Sequence, residues 1–181
     1  MTDLELEGLR YPIGRYMRLT VLNPALIATS ISEIESFPAL LNAAVTGLTD
    51  EQLDTQYRPG GWTIRQVVHH LADSHMNGVT RIKLALTEDK PTIKPYCEDR
   101  WAELTDGAKM PIEPSLRLLE GLHARWAVLL RSLSEKDLKK SFIHPERGEE
   151  LQVAEYIPEY AWHSLHHLGQ ITNLKKIKGW K

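Results

Sequence analysis

The sequence predicts an all-α protein built as a four-helix bundle, and three observations predict it. Apolar residues recur at helical rather than alternating spacing over most of the 181 residues. No two adjacent strand-like runs are joined by a hairpin turn. Helix-start signals precede the long periodic stretches: Asn23 followed by Pro24, Thr63, and Pro114.

The first long helix is expected to begin at Asn23-Pro24, where the asparagine caps and the proline takes the first helical position, and to run to about Gly47. Ile27, Ile31, Ile34, Leu41 and Val45 mark its buried stripe. Pro59-Gly60-Gly61 then breaks the chain, and Thr63 caps a second helix that ends near residue 86. A third helix starts at Pro114 and ends near Leu133, turning Leu116, Leu119, Leu122, Trp126, Leu129, Leu130 and Leu133 inward. The fourth occupies 153 to 176, with Pro158 demanding either a late start or a kink.

Between the second and third helices lie roughly 27 residues containing Pro91, Pro95 and Pro111, too many for a tight helical hairpin. They read as a crossover, the connection used by bundles whose middle helices do not simply run up and down. An internal echo supports two related halves. LTDEQLDTQY (48–57) and LSEKDLKKSF (133–142) place leucine, cap, leucine and aromatic at the same offsets. Thr49 with Gln52 and Ser134 with Asp137 have capping-box spacing, so each segment is expected to form a short helix after a long one.

One domain, residues 1–181, is the expectation for this length. A net charge of −2 and an isoelectric point near 6.4 argue against the basic face that a nucleic-acid backbone requires. No apolar run reaches the roughly 18 residues of a membrane span, and the first residues lack the order of a signal peptide, so a soluble, cytoplasmic protein is expected. The single cysteine, Cys97, permits no internal disulfide and no cysteine-rich metal site.

Any metal must therefore be held by histidine and carboxylates, and the chain has eight histidines. His163 and His167 are four apart on the last helix, about 40° from each other on one face, which suits a pair of imidazole ligands. His166 points about 60° away from His163 and reads as a bystander. A solvent-facing polar strip would give the same pattern. On the second helix His75 lies near the centre of the apolar face, as a core histidine would, and His70 near its polar edge. Gln66, His70, Asp73, Asn77 and Arg81 form a continuous polar stripe that suits a cleft. Periodicity alone does not choose between His70 and His75.

No Glu-x-x-His pair occurs on two helices, as a di-metal carboxylate bundle requires, so a mononuclear site is the better expectation. Gly-rich phosphate loops, a nucleophile elbow and the HExxH zinc-protease signature are absent.

Five stretches resemble the DinB/YfiT-like superfamily, specifically its YfiT-type metal-dependent hydrolases: RYPIGRY, YRPGGWTIRQVVHHLADSHMN, LALTEDKPTIKPY, LHARWAVLLRSL and YAWHSLHHLGQI. The resemblance covers nearly the whole chain, and its second block is highly specific. It implies a four-helix bundle with a long crossover between the second and third helices and one metal on three histidines, which correspond to His70, His163 and His167. Two departures stand out. Cys97 follows Pro-Tyr where an acid is often found, with Glu98 next, and Gln170 stands where some relatives carry a further histidine.

Three protein ligands leave a position open for water or substrate, the mark of a catalytic rather than a structural centre. Imidazole donors accept zinc or nickel alike. The resemblance implies hydrolysis of a small molecule. Its alternative is S-transfer from a low-molecular-weight thiol such as bacillithiol, since a cation acidifies bound water and deprotonates a coordinated thiol. A third reading is a non-catalytic, stress-response metal-binding protein whose histidines staple the bundle. Glu159, one turn before His163, and Asp73 are the candidate bases or partners of the ligands. Arg81 and Asn77 are the candidate substrate contacts. A homodimer is expected from the resemblance and from the apolar tail of the fourth helix.

Overall fold

The computed structural model describes residues 2–18 and 23–180. Its elements are α1 (Asp3–Arg10), α2 (Pro24–Val45), α3 (Asp50–Leu53), α4 (Ile64–Thr87), α5 (Glu98–Ala102), α6 (Thr105–Lys109), α7 (Glu113–Arg131), α8 (Glu135–Leu138), β1 (Ser141–His144), β2 (Glu149–Gln152) and α9 (Val153–Lys178). Four long helices, α2, α4, α7 and α9, make the expected bundle.

The helix starts are chemical. Asn23 accepts the Leu26 amide ahead of Pro24, and Thr63 forms a capping box with Gln66. The echoed segments are short helices, with Thr49–Gln52 and Ser134–Asp137 capping boxes. Pro158 does not delay α9, which begins at Val153 and carries the proline as its sixth residue. The wholly helical expectation needs one amendment. Residues 141–152 form an antiparallel hairpin in the register Ser141↔Gln152 to His144↔Glu149, turning at Gly148 with φ of 63°. Its strands are only four residues each, too short for alternation to stand out, although Phe142 and His144 are buried while Ile143 between them is not. The crossover, residues 88–112, pairs with the hairpin, since the Ile93 amide donates to the Ile143 carbonyl and the Ile143 amide to that of Pro91.

Packing explains why a crossover is needed. α2 and α4 each pack on both α7 and α9, so these successive helices sit across the bundle from each other. The core has two apolar clusters. One contains Ile31 and Ile34 of α2, Val79 and Ile82 of α4, Trp126 and Leu130 of α7, and Tyr156, Ile157 and Tyr160 of α9. The other contains Phe37 and Leu41, Val67 and Leu71, Leu119, and Ile171 and Leu174. Following the chain from one cluster to the other, α4 and α7 run in the same sense and α2 and α9 in the opposite one. A chain leaving the end of α4 must travel back the length of a helix of 24 residues to begin α7, and residues 88–112 do so. Among the described residues, no helix is long and apolar enough to cross a membrane.

Candidate metal centre

Between the two apolar clusters each long helix contributes a polar group: the Ile34 carbonyl from α2, His75 from α4, His123 from α7 and His163 from α9. These groups form one hydrogen-bonded line. His123 Nδ1 lies 2.6 Å from the Ile34 carbonyl oxygen, His123 Nε2 lies 2.7 Å from His75 Nδ1, and His75 Nε2 lies 3.3 Å from His163 Nδ1. A carbonyl only accepts, so His123 donates from Nδ1 and its Nε2 accepts. His75 then donates from Nδ1 and accepts at Nε2, and His163 donates from Nδ1. The line thus ends with His163 Nε2 as a lone pair directed away from the core.

His167 reaches the same state by another route. The Gln170 amide nitrogen faces the carbonyl of Arg10 at 3.0 Å and His166 Nε2 at 3.1 Å, which fixes its oxygen toward His167. That oxygen accepts from His167 Nδ1 at 2.8 Å, leaving His167 Nε2 unprotonated. His70 completes the cluster from α4. One ligand atom from each of His70, His163 and His167 lies within 4.8 Å of the others. His70 Nε2 and His163 Nε2 are 3.3 Å apart. Two nitrogens held about 2.0–2.1 Å from a tetrahedral ion are separated by about 3.3–3.4 Å, so the donors present fit such an ion.

Electrostatics keeps these donors neutral. Burial pushes the pKa values of His70, His75, His163 and His167 well below the ordinary histidine value, and neighbouring histidines add to the effect. The ring of Trp62, 4.5 Å from that of His70, closes one side. Gly78 explains how α9 comes close enough to α4: a Cβ there would lie 2.6 Å from Tyr160 Cζ.

A cavity of about 390 Å³ opens onto the cluster, lined by His70, His163 and His167 together with Trp62, Ser74, Arg81, Tyr96, Glu98, His144, Arg147, Tyr156, Glu159 and Trp162 among others. Of the four other sequence candidates, two lie on it. Glu159 faces the cavity with Oε1 accepting from Arg147 Nη2 at 2.7 Å, and Arg81 lines its wall. Asp73 and Asn77 do not line it. On α4, His70, Ser74 and Arg81 fall within about 40° of one another, whereas Asp73 and Asn77 fall on the other side of His70 by about 60° and 20°. Asn77 donates to the Asp73 carbonyl. The Asp73 carboxyl is raised to about 6 by burial and then by Asp106.

The bystanders are accounted for. His166 stacks on Trp162 with ring centroids 4.6 Å apart. His69 holds the end of the crossover, donating from Nε2 to the Met110 carbonyl at 3.0 Å and accepting from Ser115 Oγ at 2.8 Å. Cys97 is exposed, and Glu98 beside it lines the cavity. Sequence reasoning missed His144 and Trp62 as cavity residues. The inward alternation of Phe142 and His144 was the available signal for the first.

Comparison with known proteins shows the family and the fold. The profile of the DinB superfamily matches residues 33–171. A protein of Bacillus cereus (strain 03BB102) named "Putative metal-dependent hydrolase" is 53% identical over 175 residues, covering 97% of this chain and 100% of the relative. A Bacillus thuringiensis subsp. konkukian protein of the same description matches equally. Among solved structures, YfiT from Bacillus subtilis, described as "a probable metal-dependent hydrolase with an unusual four-helix bundle topology", superimposes with a TM-score of 0.94 at 46% identity, covering 96% of this chain and 99% of that one.

Proposed function

Because the chain belongs to the DinB superfamily, we propose that it is a metal-dependent hydrolase of a small molecule, with His70, His163 and His167 holding one divalent cation. The observation that carries this reading is the convergence of three neutral imidazoles, His70 and His167 buried and His163 partly so, at the head of a cavity, two of them with their protons fixed on the far side of the ring. The names of the relatives support the hydrolase class. Three protein donors are what an open, catalytic centre requires, and the cavity gives a substrate access to it. A divalent cation in this setting supplies Lewis acidity, polarising a substrate oxygen and acidifying water near neutral pH. Zinc and nickel both suit the donor set.

The chain's own groups take the remaining tasks. The relay from the Ile34 carbonyl and the Gln170 amide hold His163 and His167 in the tautomer that presents Nε2. Glu159, held by Arg147 at the cavity wall, is the carboxylate we assign to receive a proton. Trp62 and Trp162 limit the access of solvent.

Elemental analysis of the purified protein is expected to find one divalent ion per chain. A screen of esters, amides and other electrophiles, with and without bacillithiol, is then expected to find metal-dependent turnover that needs no thiol. Consumption only in the presence of thiol would reassign the protein to S-transfer. A large metal-dependent shift in melting with no turnover of any compound would favour a metal staple.

A further inference from the structure

The fold contains two buried arginines, and it treats them differently. Arg65, 4% exposed, donates to Asp54 at 2.6 Å, to Asp50 at 2.8 Å and to the Met110 carbonyl at 3.1 Å. Arg81, 8% exposed, has no carboxylate within ion-pair distance among the described residues. Its Nη1 donates to the Tyr156 hydroxyl at 3.0 Å, and its Nε is buried with no acceptor.

The tyrosine does not neutralise it. The Tyr156 hydroxyl donates to Tyr160 at 3.2 Å, and the Tyr160 hydroxyl donates in turn to the Ser74 carbonyl at 3.0 Å. Burial pushes the pKa of Tyr156 well above the ordinary tyrosine value, so its phenol keeps its proton. A guanidinium always carries its charge, and an uncompensated buried charge is costly. His144 shares the cavity wall, its Nδ1 also buried without a partner. The cationic neighbours Arg147 and Arg81 help burial to lower its pKa.

We propose that Arg81, with His144 beside it, binds an oxyanion of the substrate, a carboxylate or a phosphate ester, while the other end of the molecule reaches the histidine cluster. The inference rests on the same cavity serving as the substrate site. The scaffold sets the length of the molecule. Tyr156, which Arg81 touches, precedes His163 by seven residues of α9, roughly 10 Å along the helix. A compact headgroup alone does not span that distance. The substrate class is thus a small molecule with an anionic terminus, a short body against Tyr96 and Trp162, and a hydrolysable group at the far end.

Binding tests this without turnover. Quenching of tryptophan fluorescence at pH 8 would be measured in metal-free protein, where no metal ion can attract the anion, with 4-phenylbutyrate, phenyl phosphate and the uncharged 4-phenylbutyramide as probes. At least one anion is expected to bind ten-fold or more tightly than the amide, and the better of the two identifies the headgroup. Arg81→Gln is expected to remove that preference and leave amide binding unchanged. In wild-type protein the Nε–H resonance of one buried arginine is expected to shift on addition of the favoured anion, a readout that does not depend on a variant folding. Equal binding of anions and amide, anion binding unaltered in Arg81→Gln, or arginine side-chain spectra unchanged by the anions would each overturn the proposal. Hydrolysis of neutral esters without anion selectivity would sink this inference and leave the hydrolase reading standing. Anion selectivity without hydrolysis would do the reverse.

Discussion

His123 is 0% exposed and lies two hydrogen bonds from the nearest proposed metal ligand, yet replacing it should weaken metal binding. In His123→Phe a ring still fills the space between Phe37 and Trp126, but the Ile34 carbonyl loses its donor and His75 Nδ1–H loses its acceptor. Nothing then fixes the proton of His75 on Nδ1. If it moves to Nε2, it opposes the Nδ1–H of His163, and His163 must carry its proton on the nitrogen that faces the cluster. Changes behind a ligating histidine typically cost ten- to hundred-fold in metal affinity, about 1.4–2.7 kcal/mol.

Two unsatisfied buried groups also cost folding stability, on the order of 1–3 kcal/mol each, so a control must separate the two losses. His69→Phe serves, because His69 also makes two hydrogen bonds but both lead to the crossover and to Ser115. Zinc affinity would be measured by competition with a chromophoric chelator, and stability by urea unfolding of metal-free protein. Both variants should lose stability, whereas His123→Phe alone should lose ten-fold or more in affinity. Wild-type zinc affinity in His123→Phe, or an equal loss in His69→Phe, would refute the relay.

Gln170→Ala should lower zinc affinity about ten-fold by freeing the tautomer of His167, and should loosen α1, whose last carbonyl the amide holds; hydrogen exchange at 3–11 reads the second effect. Gly78→Ala should destabilise by about 1–3 kcal/mol despite alanine's better helix propensity, because the methyl overlaps the Tyr160 ring, and thermal unfolding checks the sign. Metal-free protein should be acid-sensitive. His123 and His166 are lowered to about 4 by burial, and His75 and the three cluster histidines are also lowered, so between pH 6.5 and 4 the unfolded chain binds protons that the folded one does not. Their contribution is complete above 6.5 and is lost as pH falls, at up to about 1.4 kcal/mol per pH unit for each histidine. Urea midpoints that stay flat from pH 7.5 to 5 in the presence of a chelator would contradict this.

The sequence shows the bundle where its signals are local. Asn23-Pro24, Thr63 and the two short capping boxes act within a few residues, and each marks a real helix start. The hairpin escapes because four-residue strands hold too few alternations. The choice between His70 and His75 escapes for a different reason. α4 packs on α7 and α9 at once, so its buried face is wide enough to take both histidines inward, at 7% and 0% exposure. Their difference lies in what each nitrogen meets, and for His75 that depends on the Ile34 carbonyl of α2, which Pro38 leaves without a helical donor but which only the packing brings to His123. The unpaired charge of Arg81 is likewise invisible until the packing shows that, among the described residues, no carboxylate comes within ion-pair distance of it.

Metal stoichiometry in single-alanine variants tests most directly whether three imidazoles share one ion. Wild-type protein dialysed against zinc or nickel and analysed by mass spectrometry of metals should retain one equivalent per chain. His70→Ala, His163→Ala and His167→Ala should each retain close to none, while His166→Ala, buried on the same helix as two of them but outside the cluster, should retain the full equivalent. Equal loss in all four variants, or an equivalent retained after removal of His163, would contradict the assignment.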